Sequence, residues 1–252
     1  MDALDRQPRP GDAFGLALLD YLHGGSGVHI TERDDGQVDA MSGALYFAGF
    51  EEWADIHFAA ALDAAALEFV SGRVLDVGAG AGRHSLFLQQ RGDEPVALDV
   101  SPGAIEVCRE RGVGKTFRGR TDELASVDPE PFDAAILLGH NLAILGSAQS
   151  SGPFLDSLRR LLKPGGVVVG SLLDPYSTDD PIHLAYHERN RERDRMPGQI
   201  RLRVRFQDTA GDWFDYLFLS PSELEDLAER AGWRLEESTE PNPSYIAVLR
   251  PE

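Results

Sequence analysis

Short apolar runs alternate along much of this chain with stretches in which apolar residues recur at helical spacing. The runs at residues 74–77, 96–98, 132–138 and 167–169 are nearly continuous, as expected for parallel strands that are covered on both faces. Helical spacing predicts helices at residues 84–91 and 151–162, and Ser101-Pro102 starts another. Strands that alternate with helices predict an α/β protein with a mainly parallel sheet.

A different pattern follows in the second half of the chain. Residues 200–206 alternate strictly, so Arg201, Arg203 and Arg205 share one face of a predicted strand. Residues 207–212 form a turn, and residues 213–219 return as the partner strand of a hairpin. The arginine face is either the solvated side of an edge hairpin or the mouth of a site for a carboxylate- or phosphate-bearing substrate.

The first apolar run leads into a glycine-rich turn. Gly78, Gly80 and Gly82 occur at every second position, and Arg83 begins the predicted helix. A strand, a glycine turn and a helix start are where an α/β sheet binds the polar part of a nucleotide-like ligand. A dinucleotide fingerprint has the spacing G-x-G-x-x-G, so this spacing argues against a nicotinamide oxidoreductase.

Two carboxylates flank this turn. Asp76 precedes the first glycine by two residues, and Asp99 ends the second apolar run, nineteen residues after Gly80. A carboxylate repels pyrophosphate and attracts a cation, and an acid at the tip of the second strand can accept both hydroxyls of a ribose. The pair predicts a ribose-bearing cation as the ligand.

The chain resembles the class I S-adenosylmethionine-dependent methyltransferase family in residues 76–82, in residues 97–101 and in the turn at residues 163–166. The resemblance implies an α/β fold with a doubly wound, seven-stranded, mostly parallel sheet of order 3-2-1-4-5-7-6, whose last strand is antiparallel. It further implies a helical N-terminal cap (residues 1–70), a core (71–173), an inserted substrate-side hairpin (174–219) and a closing helix with edge strands (220–252).

The resemblance also implies roles for individual residues. The predicted contacts to S-adenosylmethionine, and to the product S-adenosylhomocysteine, are Asp76, Gly78, Ala79, Gly80, Gly82, Arg83, Asp99, Val100, Thr121, Asp122, Leu138 and Gly139. Thr121 and Asp122 are the adenine candidates, because Arg120 stands where the family commonly has an acid.

At the end of the fourth strand, His140 is a candidate for taking a proton from the nucleophile, and Asn141 for orienting it. The alternative is that His140 caps a turn and Asn141 bonds backbone. Tyr46, Tyr186 and Arg203 are the candidates for contacts with the substrate. Tyr46 and Trp53 could form an aromatic wall around the sulfonium or the substrate; the alternative is that both belong to the ordinary core between the cap and the sheet.

The composition limits the classes of partner and ligand that we expect for this protein. The net charge is −18, and Lys115 and Lys163 are the only lysines, so a phosphate backbone is a poor partner. The single cysteine, Cys108, excludes an intrachain disulfide, and no metal-ligand spacing is visible. We therefore expect a cytoplasmic methyltransferase for a small molecule, monomeric or homodimeric, without membrane or nucleic-acid partners. The alternative is an S-adenosylmethionine-binding protein of the same fold without catalysis.

Overall fold

The structure is a computed structural model that describes residues 9–49, 59–128, 130–240 and 243–252. Its strands are β1 (Arg9–Pro10), β2 (His29–Arg33), β3 (Val38–Met41), β4 (Arg73–Val77), β5 (Glu94–Asp99), β6 (Thr116–Arg118), β7 (Phe132–Leu137), β8 (Leu162–Leu173), β9 (Gln199–Phe206), β10 (Thr209–Ala210), β11 (Phe214–Leu217), β12 (Trp233–Ser238) and β13 (Ser244–Pro251). Its helices are α1 (Ala13–Leu22), α2 (Ala44–Phe47), α3 (Ala59–Leu67), α4 (Arg83–Arg91), α5 (Pro102–Glu110), α6 (Thr121–Val127), α7 (Ala148–Leu161), α8 (Pro181–Arg191) and α9 (Pro221–Arg230), with a 3-10 helix at Asn141–Leu145.

A seven-stranded sheet forms the centre of the molecule, in the order β12-β13-β8-β7-β4-β5-β6. Strand β13 is antiparallel to both of its neighbours, and the pairs among β8, β7, β4, β5 and β6 are parallel. Numbered within this sheet, the order is 3-2-1-4-5-7-6, so the predicted topology is confirmed. Strand β4 is buried along its whole length. Its adjacent residues Val74 and Leu75 point to opposite faces of the sheet and belong to separate apolar clusters.

A second sheet has the order β1-β10-β9-β2-β3, and β11 pairs with the other part of β9. The predicted hairpin is therefore confirmed as β9 and β11. The N-terminal segment contributes α1, α2 and α3, as expected of a helical cap, but it also contributes β1, β2 and β3. Local sequence patterns did not predict that these strands join a sheet, because the pairing of Thr31 with Val204 joins distant parts of the chain. The segment boundaries after residues 70, 173 and 219 stay predictions.

Helix α1 is fastened to the start of α5. Asp12 caps α1 by accepting from the amide of Gly15, and its other oxygen accepts from the Ser101 hydroxyl and the Gly103 amide, both at 2.8 Å. A Cβ at Gly103 would lie only 2.6–2.8 Å from the backbone of Gly15. This close crossing holds α1 beside the tip of β5, where Asp99 stands.

Among the helices that the structure describes, none has both the length and the apolar character needed to cross a bilayer.

Candidate functional site

The turn between β4 and α4 offers main chain rather than side chains. Gly78, Gly80 and Gly82 have φ values of +73°, +55° and +75°, a region that side-chain-bearing residues rarely occupy. A Cβ at Gly82 would lie 2.8 Å from Val113, so glycine is required there for packing as well. The amide of Gly78 donates to the carbonyl of Leu98, which ties the turn to β5. The result is a bare backbone surface at the carboxyl edge of the sheet.

Asp99 faces this turn from the end of β5. One of its oxygens accepts from the amide of Gly80 and the other from the amide of Ser101, each at 2.9 Å. Burial raises the pKa of this carboxyl to about 6, and the nearby carboxylates of Asp12 and Asp76 act in the same direction. Each carboxylate oxygen has a further lone pair, so Asp99 retains the capacity to accept hydroxyl hydrogens from a ligand.

Asp76 stands deeper in β4. Its Oδ2 accepts from the amide and the hydroxyl of Ser85, at 3.1 and 2.6 Å, and this fixes the first turn of α4. Burial raises its pKa, although the charges of His84 and Arg83 and the bonds from Ser85 oppose that effect. Asp76, Asp99 and the glycine backbone fit a ligand that combines ribose hydroxyls with positive charge.

Asn141 lies against the same turn. Its Nδ2 donates to the carbonyl of Gly78 at 2.8 Å, and the phenol of Tyr216 donates to its Oδ1 at 3.2 Å. These two partners fix the orientation of the amide. Burial raises the pKa of Tyr216, so its hydroxyl stays protonated and remains a donor. The sequence predicts the strand that carries Tyr216 but not this contact, which joins β11 to the end of β7.

An aromatic pair covers the glycine turn. A Cβ at Gly80 would lie 3.8 Å from Phe14 Cζ and 3.8 Å from Tyr46 Cδ1, and the two rings meet edge to face at 5.1 Å. Burial raises the pKa of Tyr46 to about 12. The structure thus brings Tyr46 to the glycine turn, while its role toward a substrate stays a prediction. Trp53 lies outside the described residues.

A buried carboxylate that the sequence did not single out organises the other side of the turn. Asp63 of α3 accepts from Arg83 Nη2 at 3.1 Å and from the amide of Gly139 at 3.3 Å, and His84 Nε2 lies 3.1 Å away. Burial opposes ionisation of Asp63, but His84 and Arg83 outweigh it and lower its pKa. A lone acid in the alanine-rich run of residues 59–67 was the available signal.

The side chain of His140 reaches a strand of the central sheet. Its backbone has a φ of +65°, its amide donates to Ser171 Oγ at 2.9 Å, and its Nε2 lies 2.7 Å from Ser244 Oγ. These partners belong to β8 and β13. Asn141, the neighbouring candidate, is the one that reaches the carbonyl of Gly78.

The adenine candidates point in different directions. The hydroxyl of Thr121 lies 2.6 Å from that of Ser157, within the contact between α6 and α7. Asp122 is exposed and pairs with Arg120 at 3.4 Å. Val100, directly after Asp99, is 66% exposed and offers an apolar surface at the same edge, whereas Ala79 and Leu138 are buried.

Two substrate candidates lie elsewhere. Tyr186 donates to Asp34 at 2.6 Å and stacks under Arg33, in the contact between α8 and the turn after β2. Arg203 bonds Glu32 at 2.9 and 3.1 Å. Arg203 has the opposite parity along β9 to Ile200, the cross-strand partner of Tyr216, so it faces away from Asn141.

Comparisons with known proteins identify similar methyltransferases. A family model described as "Methyltransferase domain" matches residues 74–166. The ubiquinone biosynthesis O-methyltransferase of Cereibacter sphaeroides is 27% identical over 172 residues, which cover 67% of this chain and 62% of that protein. The malonyl-[acyl-carrier protein] O-methyltransferase of Salmonella typhimurium is 35% identical over 118 residues, 43% of each chain. This chain thus spans less than two thirds of the length of these curated relatives.

A solved structure extends the likeness to nearly the whole chain. The SAM-dependent methyltransferase from Bacteroides fragilis, in complex with S-adenosyl-L-homocysteine, superposes with a TM-score of 0.77 at 26% identity, over 95% of this chain and 94% of that one. The glycine turn and Asp99 lie within residues 74–166, which the family model matches. The family model, the curated relatives and the solved structure together support a class I S-adenosylmethionine-dependent methyltransferase.

Proposed function

We propose that this protein transfers the methyl group of S-adenosylmethionine to a nucleophile on a small molecule. The observation that carries the proposal is the meeting of Asp99, the glycine turn and the Asn141–Tyr216 pair at one edge of the sheet. Ligands of open parallel sheets bind at this carboxyl edge. The site thus combines groups for holding the cofactor with groups that can face an acceptor.

The residues at the turn would share the binding of the cofactor. Asp99 would accept the ribose hydroxyls, the backbone of residues 78–82 would approach the amino-acid part, and Val100 would pack on the adenine, with Thr121 and Asp122 as the polar candidates there. The acidic surroundings of Asp99 favour positive charge. When bound, S-adenosylmethionine supplies a methyl group on a cationic sulfur, which is an excellent leaving group.

The protein itself must then orient the nucleophile toward the methyl group and exclude water. Asn141 is held on both sides by fixed partners, so its amide can order a nucleophile without first having to be ordered itself. Phe14 and Tyr46 cover the glycine turn and keep water from the reacting atoms.

We expect the acceptor to be a small molecule, because other elements of the chain cover this edge of the sheet. Helix α1 and the second sheet lie over the end of β5 and over the 3-10 helix, through Asp12 and Tyr216. The net charge of −18 disfavours a nucleic-acid acceptor. Oxygen is the nucleophile to test first, because both curated relatives are named as O-methyltransferases. A monomeric or homodimeric state and a cytoplasmic location stay predictions.

The test uses the full chain, S-adenosylmethionine with a labelled methyl group, and a panel of phenols, alcohols and amines. We expect release of S-adenosylhomocysteine together with label in one acceptor class. Asn141→Ala should lower kcat/KM by tenfold or more, because it removes both the bond to Gly78 and the bond from Tyr216. Tyr216→Phe is the matched variant, since it removes the second bond alone. Cofactor binding without turnover across the panel would instead support the non-catalytic alternative.

A further inference from the structure

His29, at the start of β2, is a buried histidine with an unused ring nitrogen. The whole residue is only 1% exposed. The Nδ1 atom lies 3.0 Å from the carbonyl oxygen of Gly27. Within residues 9–49, 59–128, 130–240 and 243–252, Nε2 has no hydrogen-bond partner. A buried polar atom without a partner is costly, so it calls for a physical explanation.

The single partner determines the tautomer. A carbonyl oxygen can only accept, so Nδ1 must carry the hydrogen and Nε2 must present a lone pair. Burial lowers the pKa of His29, although the bond to Gly27 partly opposes this effect. At neutral pH the ring is therefore uncharged, and Nε2 presents a free lone pair.

The position of His29 connects it to the site. Thr31, its neighbour on the same face of β2, is paired with Val204, and Val204 shares a face of β9 with Ile200, the partner of Tyr216. His29 therefore lies on the sheet face that carries Tyr216 toward Asn141.

Aromatic rings link His29 to the glycine turn. Its ring centroid is 5.8 Å from that of Tyr46 and 6.0 Å from that of Phe14, the two rings that lie beside Gly80. Its other facing neighbour is Met41, across from it on β3. Phe14, Tyr46 and Met41 are each only partly buried, and Tyr46 is the titratable residue among the three.

We propose that His29 Nε2 is the base that accepts the proton of the methyl acceptor, and that the acceptor is a hydroxyl compound with an apolar, ring-like body. This proposal rests on the proposed methyl transfer. The new bond joins the acceptor oxygen to the methyl carbon as the bond between that carbon and sulfur breaks. The electron pair of the broken bond stays on sulfur and cancels its positive charge. The hydroxyl proton moves to Nε2 and is later released to solvent.

The surrounding residues favour His29 over the histidine that the sequence singled out. His140 is engaged with Ser244 and Ser171 on β8 and β13. The wall around His29 is built from Phe14, Tyr46 and Met41, which suit an apolar body with one polar hydrogen. No group in the described part of the chain donates a hydrogen bond to Nε2, so the acceptor hydroxyl is the partner that Nε2 lacks.

The first test is NMR of the full chain with ¹⁵N-labelled histidine and S-adenosylhomocysteine bound. Signals of His29 are assigned by their loss in His29→Asn. We expect a protonated Nδ1 and a bare Nε2 at neutral pH, and a displaced Nε2 resonance when phenol is added as the probe. A hydrogen on Nε2, or an Nε2 resonance unchanged up to the solubility limit of phenol, overturns the proposal. Failure of S-adenosylhomocysteine to bind at all would contradict the proposed function instead.

The second test is kinetic and uses the acceptor found in the labelled-methyl screen. His29→Asn keeps an amide donor for Gly27 but removes Nε2, so kcat should fall about 100-fold while the affinity for S-adenosylhomocysteine stays within about threefold. The wild-type rate should fall as pH drops below the pKa of His29, and the variant should lose this dependence. His23→Asn, at an exposed histidine paired with Glu110, is the matched control and should leave kcat unchanged. A variant with altered stability but an unchanged pH profile would show a structural role and overturn the proposal.

Discussion

Replacing Asp99 by alanine removes the acceptor that the site offers to a ribose. Two bonds within the protein are lost as well, those from the amides of Gly80 and Ser101. Hydrogen bonds to a charged group are worth about 1.5–3 kcal/mol each, so their loss alone would weaken the glycine turn. The buried charge acts in the opposite direction.

The size of that opposing effect follows from the pKa. Burial raises it to about 6, against an ordinary value of 3.8, which corresponds to about 3 kcal/mol against the ionised form at neutral pH. The raised pKa already includes the bonds from Gly80 and Ser101, so this cost is a net one. Replacing Asp99 relieves it but leaves the two buried amides without an acceptor, at about 1–3 kcal/mol each, so the two effects offset one another in the free protein. The cofactor has no such compensation, because its hydroxyls lose a charged acceptor. We expect the affinity for S-adenosylhomocysteine to fall tenfold or more, with little change in the free energy of unfolding.

Isothermal titration calorimetry with S-adenosylhomocysteine measures the affinity, and thermal unfolding reports stability. Asp226→Ala is the charge-matched control, because Asp226 is exposed on α9 and pairs only weakly, at 4.0 Å, with Arg230. Asp99→Asn keeps the shape of the side chain if alanine lets the turn collapse. An affinity within twofold of the wild type in both Asp99 variants would remove Asp99 from the cofactor site.

The same carboxyl predicts a pH dependence. Because its pKa is raised in the folded protein, the folded state holds the proton more tightly than the unfolded chain does. The contribution of Asp99 to stability is therefore largest below about pH 4 and declines as pH rises to about 6. Ribose hydroxyls favour the ionised carboxylate, so the affinity for S-adenosylhomocysteine should fall as pH drops below about 6. Titrations from about pH 5 to about pH 8 check this, and Asp99→Asn should flatten the curve.

Two further substitutions test the close crossing of α1 and α5 and the face of β9 that carries Arg203. Gly103→Ala places a Cβ 2.6–2.8 Å from the backbone of Gly15, so thermal unfolding should show a loss of about 1–3 kcal/mol or more. Gly152→Ala, in α7 with open space at its Cβ, is the control and should stabilise by about 0.5–1 kcal/mol; equal effects would refute the close crossing. Arg203→Ala should leave KM for the acceptor within twofold, because Arg203 faces away from the site and pairs with Glu32, whereas a large rise in KM would restore its role in substrate binding.

Local patterns were sufficient to predict the strands of the central sheet and the glycine turn. The apolar runs specified buried strands, and glycine at every second position specified a turn that only a bare backbone can make. Asp99 could be placed because it ends a strand, and strand ends of a parallel sheet share one edge. The signal for each of these features lies within a short stretch of the chain, so it can be recognised without knowledge of the fold.

The direction of the side chains at that edge could not be read locally. His140 and Asn141 are adjacent, yet a φ of +65° at His140 sends its side chain to Ser244, while Asn141 reaches Gly78. Which neighbour faces the ligand depends on backbone angles and on partners supplied by other strands.

The sequence by itself determined the buried strands, the glycine turn and the acid that follows the second strand, because periodicity and glycine spacing are local properties, whereas the sheet order was implied by the family resemblance. Only the tertiary structure decided that Asp63, Tyr216 and His29 belong to the same region. Tyr216 meets Asn141 across 75 residues of chain and Asp63 meets Gly139 across 76. Contacts at such separations arise when two sheets pack and β2 pairs with β9, and no repeat within either segment encodes them.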